Sequence, residues 1–238
     1  MTGTALTGSA FAGIPDEGLA FLEDLEERNE RDFFQANRML YRERLLAPFT
    51  ALLDAAAERL GSLAPRHGPS KVFRIHRDLR FSKDKAPYHT TMRGYVAQRA
   101  PLPGVIEIGY YLSYGPTGLY VAGGMWHPAR PELERLRAGI AGDDRGAGLV
   151  EVLRRAAKEG LVANLDPLRR VPRPYPADHP RAELLRARSV TLQRRHERAP
   201  WLVTVELLDR VVEGWRALAP LNRWLDQTLN LNTGTSGP

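Results

Sequence analysis

The sequence predicts an α+β domain: a central, mostly antiparallel sheet of about four to five strands, flanked by N- and C-terminal helices. Three observations carry that expectation. Apolar residues recur at helical spacing before about residue 60 and again after about residue 130. Near residue 71 the period changes to alternation. The links between three strand-like segments are short enough to join antiparallel neighbours. With no internal repeat and no obvious linker, residues 16–231 read as one domain. Residues 1–15 and 232–238 are small, polar and rich in Gly and Thr, and are expected to be disordered tails.

In chain order, "DEGLAFLEDLEERN" opens the first helix, with Asp16 as N-cap and Leu19, Leu22 and Leu25 on one face. A longer helical run over about 31–60 carries Phe34, Tyr41, Leu45, Phe49, Leu52, Leu53 and Leu60, with a kink or break expected at Pro48 and a stop at Gly61. "KVFRIHRDL" then alternates, placing Phe73, Ile75 and Leu79 on one side and Arg74, His76 and Asp78 on the other. "TMRGYVAQ", "VIEIGYYLSY" and "GLYVAGGM" are rich in Val, Ile and Tyr and read as three more strands. Helices are expected from near Pro131 and over about 148–159, the second closed by Gly160. "RRVPRPYPADHP" is proline-punctuated coil, "RAELLRAR" a short helix and "SVTLQR" one more strand. The C-terminal "PWLVTVELLDRVVEGWRAL" is an amphipathic helix expected to stop at Pro220, with a further turn or two in "LNRWLDQTL".

No apolar run approaches the roughly 18 residues that span a bilayer, and the first residues lack the basic and apolar regions of a signal peptide. With no cysteine, disulfides, thiol catalysis and Cys-ligated metals are excluded. A cytoplasmic protein is expected. The net charge is +6, and its distribution says more than its total. Only four lysines exist, and Lys71, Lys83 and Lys85 fall together. Residues 71–89 hold six Lys or Arg against two Asp, so the basicity is concentrated, as an anionic partner would require.

The stretch is "RIHRDLRFSKDKAPYH", residues 74–89. About a dozen residues, Arg80 to Thr91, link its strand to the next, which is long for a hairpin and suggests a functional loop. Phe81 and Tyr88 are placed to pack that loop down, and Pro87 fixes a turn within it. The stretch resembles the signature of an uncharacterised family, domain of unknown function 2461, with its core R-I-x-R-D-x-R-F-S-x-D-K-x-P-Y. The resemblance extends to "FLEDLEERNERDFF", to Gly109–Tyr111, to Gly-Gly-x-Trp-x-Pro at 123–128 and to "DHPRAELLRARS", together covering roughly 15–230. His76 and His89 depart from it, standing where the family usually has Tyr and often Lys. The resemblance implies an α+β domain and carries no reaction with it.

Three readings of the stretch stay open. In the first it binds a small phosphate- or carboxylate-bearing molecule: Arg74, Arg77 and Arg80 offer forks, Lys83 and Lys85 point charges, with Ser82 and Tyr88 alongside. In the second it binds nucleic acid, although no recognisable motif for that accompanies it. In the third it is an internal ion-pair network that pins a loop. Catalytic residues are unknown; the candidates are His76 as acid/base and Asp78 or Asp84 as general base. His76, Asp78, His89 and His127 lack a metal-binding spacing, so no metal site is expected, and the sequence leaves any cofactor unknown. In "GGMWHP" the glycines end a strand or admit a ligand, and Trp126 is expected to fill the core, as are Trp201, Trp215 and Trp224.

Overall fold

The computed structural model describes residues 11–63, 70–80, 82–97 and 108–229. At its centre is a sheet of six strands, all paired antiparallel: β1 (Ser70–Val72), β2 (Met92–Ala97), β3 (Gly109–Gly115), β4 (Gly118–Met125), β5 (Val162–Asn164) and β6 (Val190–Glu197). Their order is β1-β2-β3-β4-β6-β5. The α+β expectation holds, with slightly more strands than expected. The short β5 has no alternation to announce it and forms by pairing with the end of β6.

The helices are α1 (Asp16–Glu27), α2 (Arg31–Ala36), α3 (Arg38–Leu40), α4 (Ala47–Leu60), α5 (Arg130–Ala141), α6 (Asp143–Lys158), α7 (Ala182–Leu185) and α8 (Glu206–Leu229). Pro15, not Asp16, holds the N-cap position of α1, and Asp16 sits in the first turn where its charge suits the helix dipole. Before α4 the chain takes a π-helical stretch, Tyr41–Leu46. Pro48 is the second residue of α4, directly after that stretch, and the helical backbone runs through it without a break. Helix α6 begins earlier than its periodicity suggested, after Gly142. Pro220 does not end α8 but lies inside it. Pro220 and Arg216 are both exposed, so the carbonyl deprived of its donor lies on the water side of the helix.

One face of the sheet is packed. Helix α8 lies across β3, β4 and β6, and α4 across β1 and β2. Trp215 packs on Tyr110, Phe49 on Tyr114, and the Trp215 Nε1–H donates to the Tyr111 carbonyl at 3.1 Å. Gly214 permits this approach: a Cβ there would stand 2.7 Å from Val121 Cγ2. Helices α5 and α6 pack on α8 as an outer layer. Phe11 and Ile14 are buried in the same core, so residues 11–15 belong to the packed body and not to a tail. Residues 1–10 and 230–238, and the rest of the tail expectation, lie outside the described residues.

The other face is lined by alternating, half-exposed residues. Register puts Phe73, Arg93, Ser113, Tyr120 and Arg195 in one cross-strand row, and Lys71, Tyr95, Tyr111, Ala122 and Gln193 in the next. Neither row contains a carboxylate.

Candidate functional site

The basic stretch forms an arm that projects from the β1–β2 edge. The alternation expected over 71–78 ends as a ladder at Val72. Beyond it the Phe73 N–H still donates to the Arg93 carbonyl at 2.8 Å, and the limbs meet once more at the isolated bridge between His76 and Tyr88. Between the pairs Val72–Gly94 and His76–Tyr88 stand three residues on one limb and five on the other, so the return limb bulges. The bulge breaks the ladder, and a side chain takes over. Asn29, just after α1, donates Nδ2 to the Tyr88 carbonyl at 3.1 Å and accepts the Tyr88 N–H at 3.0 Å. The Tyr88 ring is 3 % exposed and stacks on Phe34 at 4.3 Å and 16°. His76 meets both rings edge-on, at 5.6 Å and 5.0 Å. Tyr88 is therefore the arm's anchor on the helices. Phe81, the other expected anchor, lies outside the described residues.

Towards the tip, the charges satisfy one another. Arg77 Nη1 bonds Asp84 Oδ2 at 2.5 Å, and Arg77 Nη2 bonds Ser82 Oγ at 3.3 Å. Ser82 Oγ donates to the Asp84 carbonyl at 2.7 Å, and Asp84 Oδ1 accepts the Ala86 N–H at 2.9 Å. Arg80 grips Asp78 with Nε and Nη2, and its backbone N–H bonds Asp78 Oδ1 as well. Lys85 Nζ donates to the Leu79 carbonyl at 3.3 Å. The Arg80 side-chain bond holds Asp78 below the ordinary carboxylate range; for Asp84 the Ala86 N–H does most of this, with Arg77 second. Carboxylates so held are poor general bases. Arg74 and Lys83 are exposed, and the charge of Arg74 also helps to hold Asp78 ionised. A cleft of about 510 Å³ opens beside the arm, but its lining mixes signs: Glu26 and Asp84 as well as Arg77.

The arm's root is different. Burial, then Arg93, then Arg77, push the His89 pKa down to about 4, so its imidazole is neutral at physiological pH. Burial also lowers Arg93. The Arg93 guanidinium lies 6.0 Å from the Phe73 ring and 3.4 Å from the Arg74 carbonyl, and has no carboxylate partner among the described residues. It joins the arm to the open sheet face.

That face carries two clefts divided by Tyr111 and Tyr120, whose rings meet edge-on at 6.0 Å. One, about 470 Å³ and largely apolar, is walled by Phe73, Tyr95, Tyr111, Tyr120 and Trp126. The other, about 250 Å³, is polar, with Thr91, Ser113, Gln193, Arg195 and His196. Arg195 lies 5.3 Å from the Tyr120 ring, and Tyr120 Oη is 2.5 Å from Gln193 Oε1. Trp126, expected in the core, is 62 % exposed at the rim of the apolar cleft. The strand turns outward there: Gly124 has φ +123°, open to glycine alone, and His127 follows at φ 45°. The face escaped the sequence reading, although Arg93/Tyr95, Tyr111/Ser113 and Gln193/Arg195 mark it as i, i+2 pairs on successive strands. Among the described residues no three side chains come together as metal ligands, and no helix is long and apolar enough to cross a membrane.

Helices on one side of an antiparallel sheet and an open aromatic face edged by Lys71, Arg93 and Arg195 on the other define an α+β protein. The chain belongs to the conserved hypothetical protein family DUF2461, whose family model matches residues 17–224. No curated protein and no solved structure matches it.

Proposed function

We propose that this protein binds an anionic small molecule, phosphate- or carboxylate-bearing, where the basic arm meets the open sheet face. One observation carries the reading: Arg93 and Arg195 share a cross-strand row with Ser113 and Tyr120 and without a carboxylate. Arg93 is half-buried with one long bond, to the Arg74 carbonyl at 3.4 Å, and no carboxylate beside it among the described residues, so the rest of its fork can take an anion's oxygens. Arg74 and Lys83 add positive potential at the approach. In this reading Asp78, Asp84, Arg77 and Arg80 shape the arm, while the anion sits at its root.

The internal network remains a second reading of the arm itself, favoured by the Arg77–Asp84 and Arg80–Asp78 pairs. A thermal-shift screen against phosphate, sugar phosphates, organic acids and short oligonucleotides separates them. An anion at about a hundred times its dissociation constant adds roughly 2.7 kcal/mol, several degrees in a chain of this size. Arg93→Gln is expected to abolish the shift, and an Arg80→Gln/Lys83→Gln double variant to keep most of it. Loss of the shift in the double variant alone returns the site to the arm's tip. A response to oligonucleotides alone, falling steeply with salt, makes the surface a nucleic-acid interface instead.

A further inference from the structure

We propose that the occupant of the open face is a nucleoside phosphate, its base seated in the aromatic cleft and its phosphate held at Arg93. This rests on the anion reading above and adds the other half of the ligand. An anion needs cations; it does not need five aromatic rings around an apolar cleft of about 470 Å³, a volume typical of small-ligand sites.

Trp126 is the sharpest sign. Trp215 and Trp224 are buried, and their indole N–H groups bond the carbonyls of Tyr111 and Arg145. Trp126 is 62 % exposed, its indole N–H meets no acceptor among the described residues, and the ring it touches is that of His127, at 4.6 Å. A large, water-facing apolar ring with no packing role, at the mouth of an apolar cleft, is a stacking platform without its partner. Tyr95 and Tyr111, opposite one another on β2 and β3, form the floor beside it. A flat, weakly polar ring fits such walls. A sugar ring would stack only its C–H face on one such wall and leave the others unused, and a lipid chain does not use the polar groups beyond the Tyr111–Tyr120 ridge.

The cations lie close by. Lys71 Nζ and Arg93 both stand over Phe73, at 5.3 Å and 6.0 Å, and Phe73 is a wall of the same cleft. A base in the cleft therefore has guanidinium and ammonium groups one ring away, where a 5′-phosphate falls. Ser113 and Gln193, across the ridge, offer hydroxyl and amide groups to whatever part of the ligand extends that way. A single nucleotide suits this better than a nucleic-acid strand. A strand needs a track of cations along successive phosphates, whereas the two facing rows supply only Lys71, Arg93 and Arg195.

The test is calorimetry on the whole chain with AMP, UMP, ribose 5-phosphate and adenosine, with tryptophan fluorescence read alongside, in wild type, Trp126→Ala and Arg93→Gln. Trp126 is exposed, so its variant should melt with wild type. At least one nucleotide is expected to bind ten- to a hundredfold more tightly than ribose 5-phosphate, the gain from stacking one base on an aromatic side chain. Trp126→Ala should erase that gap and leave ribose 5-phosphate unchanged; Arg93→Gln should weaken every phosphate. Equal binding of nucleotides and ribose 5-phosphate overturns the ring subsite and leaves the anion reading standing. Adenosine binding as well as AMP, with fluorescence quenched in wild type, overturns the anion reading and with it the phosphate half of this proposal. A ten-residue oligonucleotide that outcompetes mononucleotides with a steep salt dependence overturns the single-nucleotide class.

Discussion

Among single residues, His89 reports most directly on the field at the arm's root. Its pKa is depressed to about 4, by burial first and then by Arg93 and Arg77. Below its ordinary value of 6.5 the unfolded chain takes up a proton that the native ring does not. This contribution to stability is therefore complete above pH 6.5 and lost progressively as pH falls towards 4. The full shift corresponds to about 3 kcal/mol, and because the ring is only half-buried, solvent screening reduces the expected effect to about 1 kcal/mol. Urea midpoints between pH 7 and 4 should fall for wild type and fall less for His89→Asn; parallel curves would show that the local field is not as positive as the geometry implies. The sequence placed His89 beside the cations, yet not which way its pKa moves, because Arg93 comes from the next strand and burial depends on the α1–α2 packing. Asp78 and Asp84 illustrate the same limit. Their proximity to Arg is legible; that each spends its oxygens on a neighbour inside the arm, through Arg80 and Ala86, is decided by turn geometry.

At the scale of elements, periodicity read the long helices and β2, β3, β4 and β6, and failed where tertiary contacts overrule it. Pro220 looks like a stop, yet α8 continues because its proline lies on the water side while Trp215, Leu218, Leu221, Trp224 and Leu225 stay buried. Strand β1 looks longer than it is because Phe73, Ile75 and Leu79 alternate, but the bulge and the Asn29 clamp remove its ladder partners. How closely α8 sits on β4 rests on Gly214, and this yields a prediction with an unusual sign. Gly214→Ala gains helix propensity of up to about 1 kcal/mol but places a Cβ 2.7 Å from Val121 Cγ2. Overpacking costs about 1–3 kcal/mol, so the substitution is expected to destabilise by about 1 kcal/mol. In a Val121→Ala background the obstructing methyl is gone, and Gly214→Ala should then stabilise. A double-mutant cycle measured by urea denaturation checks this, and additivity of the two substitutions would mean that the close approach is not what the glycine serves.

At the scale of the molecule, the helices of the described residues pack on one face of the sheet, and the proposed function depends on this asymmetry. Burying Tyr110, Tyr114, Leu112 and Val121 under α4 and α8 supplies the core, and the residues alternating with them line the open face, where the proposed ligand would lie. Strands β3 and β4 are paired on both edges, whereas β1 and β5 are the two edge strands. Hydrogen exchange should accordingly be slowest in β3, β4 and the middle of α8, faster in β5 and fastest of the described sheet region in the arm, where the limbs between residues 73 and 92 meet at a single bridge. Among the described residues, α5 and α6 contribute no side chain to either cleft of the open face. With a saturating nucleotide, added protection is therefore expected at 93–95, 111–113 and 120–124, with α5 and α6 unchanged. The arm's tip should respond weakly, since Arg77, Asp78, Arg80, Asp84 and Lys85 are already bonded within the arm. Protection confined to 77–86 would mean that the arm's internal pairs open to take the anion, and that the open face is not where it lies. Protection across β2, β3 and β4 without the arm's tip would make the basic stretch a brace for Arg93, whose position on β2 then determines where the ligand's charge is held.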